Sequence, residues 1–225
     1  MHQTRLPDTV RQAARARRGR EPGVLEPART ALLVIDMQNA FLAPGAPLET
    51  PAARSIVDNI NRLAAAMRQA GGRVVWITTT LAPAGSARDW IYLTDFVGGD
   101  RRETIRAALR PGSDHHRLWP GLEARDGDLA CVKDRFSPFS PGASDLDAML
   151  RGAGIDHLVI AGTLTDVCCE CTARDAMMLN YRVTVVEDAN AAGTDEDHLR
   201  GLTTVARLFA DVATTDEVVA RLGGV

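Results

Sequence analysis

The chain has 225 residues, of which 45% are apolar and 24% charged, and this ordinary globular composition excludes disorder, collagen and coiled coil as overall descriptions. Lys and Arg together number 26 against 29 Asp and Glu, so the net charge of −3 favours neither nucleic acid nor an anionic membrane as a partner. The four cysteines, Cys131, Cys168, Cys169 and Cys171, are too few and too clustered for a disulfide scaffold.

Residues 1–27 form a basic N-terminal arm, whose run RQAARARRGR has almost no apolar side chain to bury. This composition predicts a solvated arm that could lie on a neighbouring subunit, and nucleic-acid contact or targeting is the alternative. The arm lacks the apolar segment of a secretion signal, and no stretch approaches the roughly 18 apolar residues of a membrane span. We therefore expect a cytoplasmic protein.

Six short apolar runs follow the arm and alternate with segments of helical spacing, a pattern typical of parallel strands joined by crossover helices. The predicted strands are 31–37, 73–79, 129–133, 157–162, 182–188 and 210–213. The predicted helices cover residues 56–67, 146–150, 166–179 and 199–209. We predict one α/β domain over residues 28–225, with a three-layer Rossmann-like fold in which helices cover both faces of a six-stranded, mainly parallel sheet.

An insertion at residues 81–128 interrupts the alternation and is rich in Gly, Pro and charged residues. Only residues 101–109 have weak helical spacing there. A long irregular segment in a compact α/β domain is more often a lid or a binding loop than filler. Ligands of open α/β sheets bind beyond the carboxyl ends of the strands, so the chemistry is expected there.

Three chemically useful side chains stand at predicted strand ends. Asp36 ends the first strand, where a partly desolvated carboxylate suits proton transfer or caps the next helix. Lys133 ends the third strand, and it either extends to solvent or holds a buried carboxylate in place. Cys168 falls in the first turn of the predicted helix 166–179, where backbone N–H groups lower a thiol's pKa and offer donors to an oxyanion. Packing of helix against sheet is the alternative role for Cys168.

Cofactor sites have weak support in the sequence. Cys168 and Cys171 form a C-x-x-C pair, but a zinc site needs two further ligands and only Cys131 and scattered histidines remain. Neither G-x-G-x-x-G nor G-x-x-x-x-G-K-[ST] occurs, so dinucleotide or ATP binding is not expected. We expect no cofactor and no metal.

Several stretches together resemble the isochorismatase-like cysteine hydrolases: ALLVIDMQNAF around Asp36, the region of Lys133, GTLTDVCCECTARDA around Cys168, and VVEDANAA. This family includes nicotinamidases, N-carbamoylsarcosine amidohydrolases and ureidoacrylate amidohydrolases, and the resemblance covers residues 28–222. It implies that Cys168 is the nucleophile, Asp36 the general base and acid, and Lys133 the supporting cation. It also implies a cis peptide bond between Thr163 and Leu164, an oxyanion hole formed by the N–H groups of Leu164 and Cys168, and a homo-oligomer, either a dimer or a tetramer.

Departures from the family narrow the expected reaction. Nicotinamidases commonly bind a metal through Asp and His residues after the second strand, where this sequence reads ITTTLAPAGSARDW without His. Isochorismatases lack the nucleophilic cysteine, so Cys168 favours hydrolysis of a C–N bond through a thioester, with release of ammonia or an amine. Two alternatives stay open: vinyl-ether hydrolysis with Asp36 as the acid, and a non-catalytic subunit.

The expected pocket wall combines amide, hydroxyl and aromatic groups, which suit a small linear amide, carbamoyl or ureido substrate. The expected wall residues are Gln38, Phe41, Thr79, Trp90 and Phe136.

Overall fold

Within the described residues, which are residue 2 and residues 5–223 of the computed structural model, six strands form one sheet in the order β3-β2-β1-β4-β5-β6. The strands are β1 (Thr30–Ile35), β2 (Arg73–Thr79), β3 (Leu129–Lys133), β4 (His157–Thr163), β5 (Arg182–Ala191) and β6 (Asp211–Ala213). Every neighbouring pair is parallel, which confirms the predicted sheet. The chain runs outward from β1 to β3 and then resumes at β4 on the other side of β1, so the strand order reverses between β1 and β4.

Helices cover both faces of this sheet. They are α1 (Asp8–Arg18), α2 (Asn39–Leu42), α3 (Val57–Gln69), α4 (Ile91–Asp95), α5 (Gly99–Ala108), α6 (Leu146–Gly152), α7 (Glu170–Met178), α8 (Asp195–Leu208) and α9 (Thr215–Leu222). Side chains alternate along a strand, so β1 contributes Leu32 and Val34 to the core under α3 and α9, and Leu33 to the core under α6, α7 and α8. The predicted three-layer architecture is confirmed.

The N-terminal segment packs on the domain, which differs from the expected solvated arm. Helix α1 lies against α8 and buries Ala14. Arg11 pairs with the buried Glu187 at 2.9 Å. Arg18 pairs with Asp211, at the start of β6, at 2.8 Å. The basic run therefore supplies guanidinium groups to carboxylates of the domain, while the opposite side of the helix faces solvent.

The insertion at residues 81–128 contains the two helices α4 and α5. These helices bury Leu93 and Ile105 in the core that also contains α3. A β-bridge between Gln38 and Leu118 ties the insertion to the segment that follows β1. The insertion consequently borders the carboxyl ends of the strands, as predicted. No helix in the described part of the chain has both the length and the apolar composition needed to cross a membrane.

Gly162 fixes the spacing between β1 and β4 beside the point where the strand order reverses. Its φ is +121°, and a Cβ atom there would overlap the backbone oxygen and nitrogen of Ile35. Only glycine combines this φ with so close a backbone approach. The next residue after Ile35 is Asp36, so Gly162 also determines how close Asp36 comes to the chain after β4.

Replacing Gly162 with alanine is therefore expected to destabilise the fold by about 3 kcal/mol or more, or to prevent folding. Chemical denaturation measures the change in the free energy of unfolding. The matched control is Gly154→Ala, where φ is +73° but no atom lies near the added Cβ, so only a left-handed backbone cost of about 1–2 kcal/mol applies. Equal losses in the two variants would show that close packing against Ile35 contributes nothing.

Candidate active site

Asp36, Lys133 and Cys168 meet at the carboxyl end of the sheet. Lys133 Nζ donates a hydrogen bond to Asp36 Oδ2 at 2.8 Å and lies 3.6 Å from Cys168 Sγ. Asp36 follows β1 and Cys168 follows β4, so they flank the point where the strand order reverses, and Lys133 reaches them from the end of β3. The three side chains are nearly or completely buried. The structure thus brings the three predicted catalytic residues into one cluster.

Thr79 at the end of β2 joins Lys133 to Asp36. Its hydroxyl accepts a hydrogen bond from Lys133 Nζ at 2.6 Å and donates one to Asp36 Oδ1 at 2.8 Å. Both oxygens of the Asp36 carboxylate are therefore held, one by an ammonium and one by a hydroxyl. Thr79 was expected in the pocket wall, and its hydroxyl lies inside the charged cluster.

The backbone at Asp36 adopts an unusual conformation. Its φ is +53°, in the left-handed region that few non-glycine residues occupy and that is enriched at functional sites. The Asp36 N–H donates to the carbonyl of Ile77 in β2 at 2.9 Å, which anchors this turn to the neighbouring strand. Strand β1 ends at Ile35, before the predicted boundary, because the chain turns here and directs the carboxylate towards Lys133.

A π-helical turn, Thr165–Cys169, carries Cys168 and precedes α7. Its widened geometry appears in the bond from the Cys169 N–H to the carbonyl of Leu164 at 3.0 Å. The peptide bond between Thr163 and Leu164 is cis. The helix predicted for residues 166–179 is therefore two elements, and single π turns of this kind are frequent at functional sites.

The electrostatics of the cluster keep the resting cysteine protonated. Burial raises the pKa of the Cys168 thiol above its ordinary value, nearby Asp36 raises it further, and Lys133 opposes both. The expected lowering of this pKa by a helix N-terminus is therefore wrong, because desolvation outweighs the favourable charge of Lys133. Burial would lower the pKa of Lys133, but Asp36 and Cys168 together hold it above its ordinary value. Lys133 thus stays charged.

Gln38 and Phe41, which were expected in the pocket wall, are both buried. The Gln38 amide accepts a hydrogen bond from the N–H of Thr79 and donates to the carbonyls of Thr79 and His116, so backbone groups engage both its oxygen and its nitrogen. Phe41 is buried in the core that contains α3. These contacts link the end of β2 to the insertion and leave Gln38 with no exposed surface.

Trp90, Tyr92 and Phe136 form an aromatic cluster beside the charged residues. The Trp90 and Phe136 rings lie 4.6 Å apart edge to face, and Tyr92 contacts both. The carbonyl of Arg135 accepts a hydrogen bond from Lys133 Nζ at 3.2 Å, which connects the cluster to the catalytic candidates. Trp90 and Phe136 were expected here, whereas Tyr92 was missed, although its aromatic character and its place in the insertion could have indicated it.

His198 supports the π-helical turn from α8. Its Nδ1 lies 2.8 Å from Thr165 Oγ1, and its ring stacks on that of His2 at 4.2 Å between centroids. Burial and, to a smaller extent, His2 lower the pKa of His198 to about 4, although Asp195 acts in the opposite direction. The imidazole is therefore neutral at pH 7, which suits a hydrogen bond to a threonine hydroxyl.

This shift predicts acid destabilisation between about pH 6.5 and pH 4. The unfolded chain binds a proton at this histidine as the pH falls through 6.5, but the folded chain resists until about pH 4, so stability decreases by up to about 3 kcal/mol across that window. Denaturant unfolding at several pH values should show a smaller decrease for His198→Asn than for the wild type. His115→Asn, in the insertion, is the control that keeps the full decrease. An unchanged decrease in His198→Asn would contradict this assignment.

The described residues contain no group of three or more His, Cys, Asp or Glu side chains that could hold a metal ion. His116 of the insertion contacts Thr80 Oγ1 through Nε2 at 2.6 Å.

Comparison with known proteins agrees with this geometry. A family model described as the isochorismatase domain matches residues 30–217. Ureidoacrylate amidohydrolase RutB of Caulobacter vibrioides is 33% identical over 216 residues, which cover 90% of this chain and 95% of the relative. A protein of Arabidopsis thaliana named probable inactive nicotinamidase At3g16190 is 34% identical over 193 residues, covering 84% and 93% of the two chains.

Among solved structures, a cysteine hydrolase from Pseudomonas syringae pv. phaseolicola 1448A superposes with a TM-score of 0.77 at 30% identity. The superposition covers 91% of this chain and 98% of the other. The likeness therefore extends over nearly the whole molecule.

Proposed function

Because the chain belongs to the isochorismatase family of hydrolases, we propose that it is a cysteine-dependent amidohydrolase acting on a small linear amide, carbamoyl or ureido compound. The observation that carries the proposal is the buried cluster in which Lys133 Nζ contacts both Asp36 and Cys168. A thiol, a proton acceptor and a fixed cation within hydrogen-bonding reach form the arrangement that nucleophilic catalysis by cysteine requires.

The first step is removal of the Cys168 proton. The raised pKa of this thiol means that almost no thiolate exists at pH 7 in the resting site, so the proton must leave as substrate binds. Asp36 is the acceptor, since its carboxylate is held by Lys133 and Thr79 at the bottom of the same cluster. Lys133 then stabilises the thiolate, whose sulfur lies 3.6 Å from its ammonium nitrogen.

The thiolate attacks the carbonyl carbon of the substrate and forms a tetrahedral intermediate. The backbone N–H groups of Leu164 and Cys168 form the oxyanion hole that holds its negative oxygen. Protonated Asp36 gives its proton to the departing nitrogen, which leaves as ammonia or an amine and produces a thioester on Cys168. Water, activated by Asp36, then hydrolyses the thioester and frees the thiol.

The substrate class rests on two supports. A relative that is 33% identical carries the name ureidoacrylate amidohydrolase. The aromatic cluster of Trp90, Tyr92 and Phe136 offers flat surfaces next to Lys133, suited to a planar amide or ureido group. Trp90 and Phe136 are accordingly proposed as substrate-contacting residues.

Ammonia release from a panel of carbamoyl, ureido, maleamate-type and nicotinamide compounds tests the proposal. We expect turnover of at least one linear carbamoyl or ureido compound. Release of pyruvate from isochorismate without any ammonia from the panel would instead support vinyl-ether hydrolysis with Asp36 as the acid. If the chain turns over none of these compounds, the non-catalytic alternative is favoured. The Arabidopsis thaliana relative named probable inactive nicotinamidase is the reason to test for that outcome.

A further inference from the structure

A basic cavity lies at the amino ends of the strands, on the opposite edge of the sheet from Asp36 and Cys168. Its lining includes the first residues of four strands, Thr30, His157, Arg182 and Asp211, and its volume is about 370 Å³. At about 3.3 Å per residue, strands of six to seven residues separate the two edges of the sheet by about 20 Å. The cavity is therefore separate from the candidate active site.

Positive charge dominates the lining of this basic cavity. Five guanidinium groups face three carboxylates there, which leaves an excess of two positive charges. The arginines are Arg18, Arg20, Arg29, Arg182 and Arg221, and the acids are Glu26, Asp156 and Asp211. Such an excess is unusual in a chain whose overall charge is negative, and it attracts small anions.

Ion pairs inside the cavity satisfy three of the arginines. Arg18 pairs with Asp211 at 2.8 Å, Arg29 pairs with Glu26 at 3.8 Å, and Arg29 and Arg182 share Asp156, so the three acids match these three arginines. Within the described residues, Arg20 and Arg221 pair with no carboxylate. Arg20 and Arg221 therefore carry the two excess positive charges of the cavity.

Arg221 is the more constrained of this pair. Its Nε donates to the carbonyl of Gly23 at 2.9 Å, whereas its Nη1 is buried without a hydrogen-bond partner in the described part of the chain. Burial lowers the pKa of Arg221, and the nearby Arg20 adds to that effect against Asp211 and Glu217. A half-buried guanidinium that no carboxylate neutralises, beside a like charge, is unfavourable until an anion occupies the site.

We propose that the basic cavity binds a small phosphorylated dianion, with Arg221 and Arg20 as its phosphate ligands. Guanidinium N–H groups donate charge-assisted hydrogen bonds to phosphate oxygens, and a dianion neutralises the two unpaired positive charges. The cavity volume falls in the range of small-molecule pockets, and Tyr181 and Phe209 supply an apolar wall for an organic group. A bound dianion would join the segment after α1 to α9 and so stabilise the native fold.

Calorimetric titration of the full chain with inorganic phosphate, pyrophosphate and glucose 6-phosphate, at constant ionic strength, tests the proposal. We expect saturable binding of one anion per chain and a rise in melting temperature with anion concentration. Arg221→Gln and Arg20→Ala should each weaken binding about tenfold or more. Arg20 is exposed, and among the described residues its side chain bonds only to the Glu21 carbonyl, so Arg20→Ala should fold normally and gives the answer even where Arg221→Gln does not fold.

Arg125→Ala is the matched control, since Arg125 is an exposed arginine outside the cavity that pairs with Glu123. It should bind the anions as the wild type does. The proposal is wrong where none of the three anions binds saturably up to about 10 mM, since the affinity would then be weaker than about 1 mM. It is equally wrong where Arg20→Ala binds as tightly as the wild type, or where Arg125→Ala weakens binding as much as Arg20→Ala.

Discussion

Cys168→Ala is expected to lower the rate of ammonia release by about 10³-fold or more, because the proposed reaction has no other nucleophile to form the thioester. The substitution removes one sulfur atom from a buried site, so the fold should remain intact, as circular dichroism and the melting temperature would show. Substrate binding should persist in this variant, since the aromatic cluster and Lys133 are unchanged. A calorimetric titration with the substrate measures that binding directly.

Neighbouring cysteines provide the matched controls for this experiment. Cys169→Ala and Cys171→Ala remove the same atom from the same turn and from the start of α7, but among the described residues Lys133 Nζ makes its thiol contact with Cys168 alone. Both variants should keep ammonia release within about threefold of the wild type, which corresponds to less than about 1 kcal/mol. Full activity in Cys168→Ala would contradict the covalent mechanism.

Asp36→Asn is expected to lower kcat/KM by about 10²–10⁴-fold, the range that general acid–base catalysis typically contributes. The amide has nearly the same shape as the carboxylate and can still accept a hydrogen bond from Lys133, but it cannot take the proton of Cys168. The raised pKa of that thiol makes the loss severe, because unassisted ionisation is rare at neutral pH. Ammonia release under kcat/KM conditions measures the effect.

Asp134→Asn is the corresponding control, since Asp134 follows Lys133 directly and pairs with Arg88 outside the buried cluster. Its activity should stay close to that of the wild type. At elevated pH, Asp36→Asn should recover part of its rate as hydroxide removes the thiol proton. A pH profile parallel to that of the wild type would contradict the assignment of Asp36 as the base.

The sheet and the catalytic cluster could be predicted because both depend on local signals. Apolar runs bounded by turn residues mark parallel strands, and the carboxyl ends of such strands share one edge of the sheet, so Asp36, Lys133 and Cys168 were expected at that edge once the strands were assigned. A further signal was available in the composition, since Lys133 is the only lysine in the sequence. The other strongly basic residues of the chain are all arginines, whereas this buried position has the compact ammonium group of a lysine.

Other features depend on contacts between residues that are distant in the sequence. Thr79 looked like a wall residue because its hydroxyl partners come from β1 and β3. The basic run of the N-terminal segment looked solvated because its acceptors, Glu187 and Asp211, follow about 175 to 195 residues later. The pKa of Cys168 was expected in the wrong direction because burial, which outweighs the effect of a helix end, is a tertiary property.

Mass spectrometry of the enzyme, quenched with acid during the first turnover, tests the thioester on Cys168 most directly. The account predicts that the peptide containing Cys168 gains the mass of the substrate's acyl group, in step with an initial burst of ammonia. The mass gain should disappear in Cys168→Ala and remain in Cys169→Ala. A full equivalent of ammonia released while the Cys168 peptide stays unmodified at every time point would contradict the account.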